Sequence, residues 1–175
     1  MPEKLRINGV IGESVVDGPG IRTVVFVQGC PLRCPGCHNP QTHSFDGGYE
    51  EEVGDLLAEI RSDPLLSGVT FSGGEPMCQA GALCDLAKGA RGFGLHVAVY
   101  TGYTFEELLA ENDPDRMRLL SLSDVLIDGP FVMEKRNLTL RFKGSSNQRI
   151  LDVRRSLLSG AAVDSLDTEW IGRTE

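Results

Sequence analysis

Ile21-Arg-Thr-Val-Val-Phe-Val-Gln28 is dominated by β-branched and aromatic side chains and runs straight into Gly29 and Cys30. A nearly continuous apolar run of this kind predicts a strand covered on both faces, as in a parallel sheet. Further short runs stand at Val69-Thr-Phe71, Leu95-His-Val-Ala-Val-Tyr100 and Asp124-Val-Leu-Ile127, with a weaker one at Leu138-Thr-Leu-Arg-Phe142. Helical patterns lie between them. Val53, Leu56, Leu57 and Ile60 fall at i, i+3, i+4 and i+7 with Pro64 beyond as a stop, and Ala80, Leu83, Cys84 and Ala87 repeat the spacing. Thr104-Phe-Glu-Glu107 reads as a capping box that opens a short helix to about Glu111, and Asn147 reads as the cap of another carrying Ile150, Val153 and Leu157.

Strands that alternate with helices predict a parallel sheet with right-handed crossovers. The 175 residues fall short of the roughly 250 of a closed eight-unit barrel. The expected fold is therefore α/β, an open and incomplete (βα) barrel on a parallel sheet of about five or six strands. One domain over residues 1–175 is expected, with a core from about 16 to 158 and residues 160–175 as a peripheral tail that Trp170 anchors to the body. The residues after each strand are more telling than the strands. Gly29-Cys30, Ser72-Gly-Gly-Glu-Pro76, Thr101-Gly-Tyr103, Asp128-Gly-Pro130 and Gly144-Ser-Ser-Asn147 would all meet at the carboxyl edge of the sheet. Such sheets keep their sites at that edge, so these loops outline one pocket.

Charge narrows the partners. A formal net charge of -8 and a pI near 4.9, with neither a basic stripe nor a basic helix, argue against nucleic acid or an anionic membrane and leave protein or small molecule. No stretch approaches the ~18 apolar residues of a membrane span. Met1-Pro-Glu-Lys-Leu-Arg6 lacks the apolar run that follows a signal peptide's basic start, so a cytoplasmic protein is expected. The five cysteines fit that compartment: three are clustered, and Cys78 and Cys84 sit six apart on an expected helix, roughly 240° around its axis.

Cys30-Pro-Leu-Arg-Cys34-Pro-Gly-Cys37 places three thiols within eight residues. Thiolate sulfur suits the soft iron of a cluster, and three thiolates can hold three irons of a four-iron cube while the fourth stays open to a small molecule. A structural zinc knot is the alternative; it would draw a fourth ligand from His38, Cys78 or Cys84. Ser72-Gly-Gly-Glu-Pro76 joins a strand to a helix whose first position suits Pro76. Its two glycines let a ligand approach backbone, and carbonyls beside a carboxylate suit an ammonium group rather than a phosphate. Standing alone, the same loop would serve as a simple turn between strand and helix.

Together these segments resemble the radical S-adenosylmethionine superfamily, and within it the family of glycyl-radical-enzyme activating enzymes. The resemblance runs from about Val16 to Asp152. It rests on Val16-Asp-Gly-Pro-Gly-Ile-Arg-Thr23, the cysteine loop with Cys37-His-Asn39, Ser72-Gly-Gly-Glu-Pro76, Tyr100-Thr-Gly-Tyr103, Val125-Leu-Ile-Asp-Gly129 and Gly144-Ser-Ser-Asn-Gln148. Pro35-Gly36, the Thr-Gly-Tyr turn, the Gly-Ser-Ser-Asn-Gln segment and the short chain resemble the branch that serves anaerobic ribonucleoside-triphosphate reductase more than the longer formate-lyase activators. Gly36 stands where many superfamily members carry an aromatic residue, so the general pattern is departed from while the branch's own is kept.

The resemblance implies a [4Fe-4S] cluster on Cys30, Cys34 and Cys37, with S-adenosylmethionine on the open iron. The ammonium end of that molecule would lie along Gly73, Gly74 and Glu75, and Gly36 and His38, on either side of Cys37, would flank its adenosine. Asp128 and Thr101 would line the pocket near the nucleoside or an associated cation, and Asp17 and Arg22 would dock the partner's glycine loop. The implied partner is the large subunit of a glycyl radical reductase, and the implied reductant a low-potential donor of flavodoxin or ferredoxin type. Reductive cleavage of S-adenosylmethionine would give methionine and a 5′-deoxyadenosyl radical, which takes a hydrogen from a glycine Cα without a side-chain acid or base.

Plainer readings stand beside these. His38 alone would be a local hydrogen-bonding residue, Asp17 a turn former before Gly18-Pro19-Gly20, Cys84 a packing residue and Lys143 a solvated cation. Two alternative functions stay open at this point. One is a radical S-adenosylmethionine enzyme acting on another glycyl radical enzyme or a small molecule; the other is a non-enzymatic zinc-binding module.

Overall fold

The run from residue 21 to 28 folds as strand β2 (Arg22–Val27), buried over nearly all its length. In the computed structural model, which describes residues 3–173, β2 lies between β1 (Lys4–Ser14) and β4 (Gly68–Gly73), antiparallel to the first and parallel to the second. Parallel pairing continues through β5 (His96–Tyr100) to β6 (Val125–Asp128). Antiparallel strands finish both sides: β3 (Tyr49–Glu52) outside β1, and β7 (Arg149–Asp152) outside β6. The seven strands run in the order β3-β1-β2-β4-β5-β6-β7, an α/β sheet that does not close on itself.

The open, incomplete barrel is thus present, with four strands in its parallel part and three antiparallel strands extending it. A parallel return needs a crossover of a dozen or more residues. Residues 15–21 between β1 and β2 are too few for one, so that pair folds back on itself.

Helices α1 (Val53–Ser62) and α2 (Ala80–Gly92) form where the apolar spacing predicts them. Pro76 opens a 3-10 turn, Pro76–Gln79, that leads into α2. The capping box is formed at α3 (Phe105–Glu111): the Glu107 amide donates to Thr104 Oγ1 at 3.2 Å, and the Thr104 amide donates to Glu107 Oε2 at 2.8 Å. Helix α4 (Pro114–Ser121), capped by Asp113, packs Leu119 and Leu120 inward.

Two sequence expectations are corrected. Residues 138–142 form no strand; Leu138 is 80% exposed, and β7 already occupies the outer edge of β6 that such a strand would need. Asn147 caps no helix either. Ile150 belongs to β7, and α5 (Val153–Ser159) starts after Asp152, whose side chain accepts from the Arg155 amide at 3.0 Å. Pairing with β6 outweighed a helical spacing that rested on three apolar residues, and Asn147 instead donates to the Pro130 carbonyl at 2.8 Å.

Side chains alternate across each strand, so the sheet has two unlike faces. The outer face carries Val25, Val69, Phe71, Val99 and Leu126 against the helices in the main core. The inner face gathers Ala98, Val125, Ile127 and Ile150 around Trp170. Helix α6 (Thr168–Ile171) delivers that indole, 1% exposed, onto the amino ends of the strands. There it lies 5.7 Å from the His96 ring, 5.3 Å from Phe142 and 5.4 Å from the Arg22 guanidinium. Residues 174 and 175 of the expected tail, and Met1 and Pro2 of the amino-terminal hexapeptide, lie outside the described residues. Among the described residues no helix is long and apolar enough to cross a membrane.

Candidate functional site

At the end of β2 the chain turns through Gly29, φ +102°, into the cysteine loop. The Gly29 amide donates to the Thr42 carbonyl at 2.7 Å and the Cys30 amide to the His43 carbonyl at 3.1 Å, so the segment after the loop braces its start. The Cys37 amide donates to the Cys34 carbonyl at 3.1 Å, which folds the last two thiols onto one turn. Gly36 holds φ +75°, and a side chain there would meet Met133 sulfur at 2.7 Å. Next to it the His38 ring lies 5.3 Å from Phe131. Gly36 and His38 therefore border a slot walled by Phe131 and Met133, two residues that no motif had singled out.

The loop after β4 locks directly onto the cysteine loop. The Gly74 amide donates to the Val27 carbonyl at 2.8 Å, and the Glu75 amide to the Gly29 carbonyl at 2.9 Å. A Cβ at Gly74 would overlap the Gly29 carbonyl, so the two loops can sit back to back only with glycine at this position. Cys30, Cys34, Cys37, Gly73, Gly74 and Glu75 line one cavity of about 580 Å³ on the inner face of the sheet. Phe26, Phe131, Leu140 and Phe142 give it apolar walls; His38, Asp17, Thr101 and Lys143 also border it.

Glu75 is 1% exposed, and its carboxylate is already engaged. Oε1 accepts from Thr101 Oγ1 at 2.7 Å and from the Met77 amide at 3.0 Å, while Oε2 accepts from the Gly102 amide at 2.8 Å. Burial raises the Glu75 pKa, and these donors oppose the rise. Thr101 in turn accepts from the Tyr103 amide at 3.1 Å. In this arrangement Glu75 and Thr101 staple the β4 loop to the β5 loop beside the cavity.

Two expected site residues lie elsewhere. Asp128 shares the parity of Leu126 on β6, so it faces the helices and not the cavity. Its carboxylate accepts from Arg149 Nε at 3.0 Å and NH2 at 2.6 Å, and from the Phe105 amide at 2.8 Å. Arg149, which the sequence did not mark, also holds Glu106 at 2.7 and 3.0 Å and is raised in pKa by both carboxylates. Arg22 is 2% exposed, with Nε donating to Thr70 Oγ1 at 2.8 Å and NH2 to the Val69 carbonyl at 2.9 Å. Burial pushes its pKa down to about 10, and its place at the buried foot of the sheet gives it no surface to offer a partner. Asp17 is half-buried at the cavity and accepts from Ser14 Oγ at 2.6 Å.

The donor set can be tested against an iron-sulfur cluster. Among the described residues all five cysteines are free thiols, and three of them, each half-buried, share one cavity. Among the same residues no three His, Cys, Asp or Glu side chains are grouped as a single metal ion would need. Burial pushes the Cys30 thiol up, so a coordinating cation is what would turn it into a thiolate ligand. Three soft donors on one loop beside an apolar-walled cavity fit a cluster with an open corner. Cys84 is buried in α2, its Sγ 3.5 Å from the Asp115 carbonyl, and burial pushes Cys78 up to about 11.

Residues 16–151 match the family model described as a 4Fe-4S single cluster domain. The pyruvate formate-lyase-activating enzyme of Clostridium pasteurianum is 44% identical over 133 residues, which cover 71% of this chain and 55% of that protein. The anaerobic ribonucleoside-triphosphate reductase-activating protein of Vibrio cholerae serotype O1 is 37% identical over 144 residues, covering 78% of this chain and 90% of that one. The chain thus spans just over half the length of the lyase-activating relative and most of the reductase-activating one. Among solved structures, QueE from Escherichia coli shares a TM-score of 0.46 at 22% identity, over 58% of this chain and 53% of that chain.

Proposed function

The chain belongs to the 4Fe-4S single-cluster family of radical S-adenosylmethionine activating enzymes, and from that premise we propose that it generates a glycyl radical on the large subunit of an anaerobic ribonucleoside-triphosphate reductase. The observation that carries this function is one cavity lined both by the three thiols and by the Gly73-Gly74-Glu75 loop. The reductase is favoured as substrate by the similarity that extends over 90% of a reductase-activating relative.

Cys30, Cys34 and Cys37 would hold the cluster, and the Gly73-Gly74-Glu75 loop would take the amino end of S-adenosylmethionine. When bound, these two groups supply a one-electron cleavage whose organic radical removes hydrogen from a glycine Cα. Gly36 and His38, beside Phe131, border the space for the adenosine. Thr101 positions Glu75 and keeps the two loops in register. Phe26, Phe131, Leu140 and Phe142 keep water from the reacting end of the cavity. In this function residues 1–175 act as one radical S-adenosylmethionine domain in the cytoplasm, reduced by a separate donor of flavodoxin or ferredoxin type. Beyond the loop the chain has only Cys78 and Cys84 as further cysteines, too few for a second cluster of its own.

One specific observation favours a second reading, activation of pyruvate formate-lyase: the 44% identity to the clostridial relative. Anaerobic reconstitution with iron and sulfide, followed by electron paramagnetic resonance with S-adenosylmethionine, a reductant and each candidate partner, separates the two. A glycyl doublet on the reductase is expected. A doublet on the lyase alone moves the assignment there, and colourless protein that retains stoichiometric zinc overturns both.

A further inference from the structure

We propose that the uncovered edge of β1, residues 8–12, takes an extended segment of the reductase as an added β-strand and so leads its glycine over Gly9 into the cavity; this rests on the function proposed above. β3 pairs with β1 only from Lys4 to Ile7, whereas β1 continues to Ser14 against β2. Past Ile7, no backbone among the described residues pairs with the outer side of β1. A free edge is a template for another chain, and proteins usually blunt it with charge or proline.

The two halves of this edge differ in that respect. β3 is Tyr49-Glu-Glu-Glu52, and Lys4 lies 3.7 and 3.8 Å from the Glu50 and Glu52 carboxylates. Residues 8–12 are Asn-Gly-Val-Ile-Gly, with no charge or proline. The uncharged half is also the half that reaches the cavity. Gly9 pairs with Phe26 and Ile11 with Val24, and residues opposite one another on antiparallel strands share a face. Phe26 and Ile11 both line the cavity. A Cβ built at Gly9 or Gly12 meets nothing within 4 Å, so the rim is at its lowest here. Ile11, Val15 and Val16, 46%, 69% and 74% exposed, continue an apolar strip from the edge, and Val16 again borders the cavity.

An extended peptide added to a sheet edge is held by main-chain hydrogen bonds and selected by its alternate side chains. That mode fits a substrate that must be gripped and must also present a bare Cα to the cavity. A second copy of this chain has no need of the low rim, and a charged surface partner would not choose the uncharged half.

Hydrogen exchange of the cluster-loaded chain, alone and with the reductase large subunit, reads the docking directly, and the ratio of glycyl radical formed to S-adenosylmethionine cleaved reads its effect. Protection of amides 8–12 only when the reductase is present is expected. In Gly9→Phe and Gly12→Lys that ratio should fall about tenfold, the loss of one well-packed contact. No protection of amides 8–12 by the reductase overturns the proposal, as does protection in the chain alone that grows with its concentration, which would mean a second copy covers the edge. Absence of S-adenosylmethionine cleavage in the unaltered chain overturns the function instead, and the exchange pattern still decides the docking.

Discussion

On the outer face of the sheet, Val25, Phe71, Val99 and Leu126 are wholly buried in the core that the helices complete. On the inner face of the same strands, Val24, Phe26, Ser72 and Tyr100 run between a foot closed by Trp170 and a head open to the cavity. Strand parity alone assigns a residue to one face or the other. Stability therefore resides mainly where packing is complete, and chemistry where it was left unfinished, so each can be altered without the other.

Replacing Cys34 by Ser carries the largest expected effect: iron uptake and S-adenosylmethionine cleavage are lost, while unfolding in urea shifts by less than about 0.5 kcal/mol, as for other surface-loop changes. Phe71→Ala tests the opposite face. It should cost about 3–5 kcal/mol in the same urea titration and leave cleavage per bound cluster unchanged; a changed turnover per cluster would break the separation of faces.

Thr101→Val falls between the faces. It leaves Glu75 one donor short and should cost about 1–3 kcal/mol while raising the KM for S-adenosylmethionine. Burial already raises the Glu75 pKa, so the unfolded chain ionises first and the stability tied to this group is lost as pH rises through the folded pKa. Removing a donor to the charged form raises that pKa further. The penalty of Thr101→Val should then grow from the ordinary carboxylate range upward, which urea titrations across pH will show. Glu106→Gln is the smallest change, roughly 0–1 kcal/mol for an exposed, screened pair. Arg149 holds the Glu106 pKa down, so this contribution is present at neutral pH and vanishes as pH falls through the depressed value.

Much of this division was legible in the sequence, and the exceptions share a cause. β2, α1, α2 and the capping box at Thr104 are local patterns, and the structure keeps them. β1 was passed over because Lys4-Leu-Arg-Ile-Asn8 shows only the polar-apolar alternation of a half-buried strand and no continuous run like that of β2, and Tyr49-Glu-Glu-Glu52 is a strand only by virtue of the neighbour it pairs with. The cysteine and glycine loops could be read from residue type and spacing. Asp128 and Arg22 could not be placed that way: their motifs gave the loop or strand, but the face depends on strand parity and on what packs beneath. Phe131, Leu140 and Phe142 enter the cavity wall from a long irregular connection; Leu138-Thr-Leu-Arg-Phe142 alternates as a strand would, yet Leu140 and Phe142 line the cavity while Leu138 stays exposed.

Trp170 is the only tryptophan in the chain, and its indole is wedged between His96 and Phe142 at the foot of the sheet, away from the thiols. Ultraviolet emission from this protein is therefore a label-free gauge of one location: a red shift announces that the final helix has peeled off the barrel floor, whatever is happening at the metal.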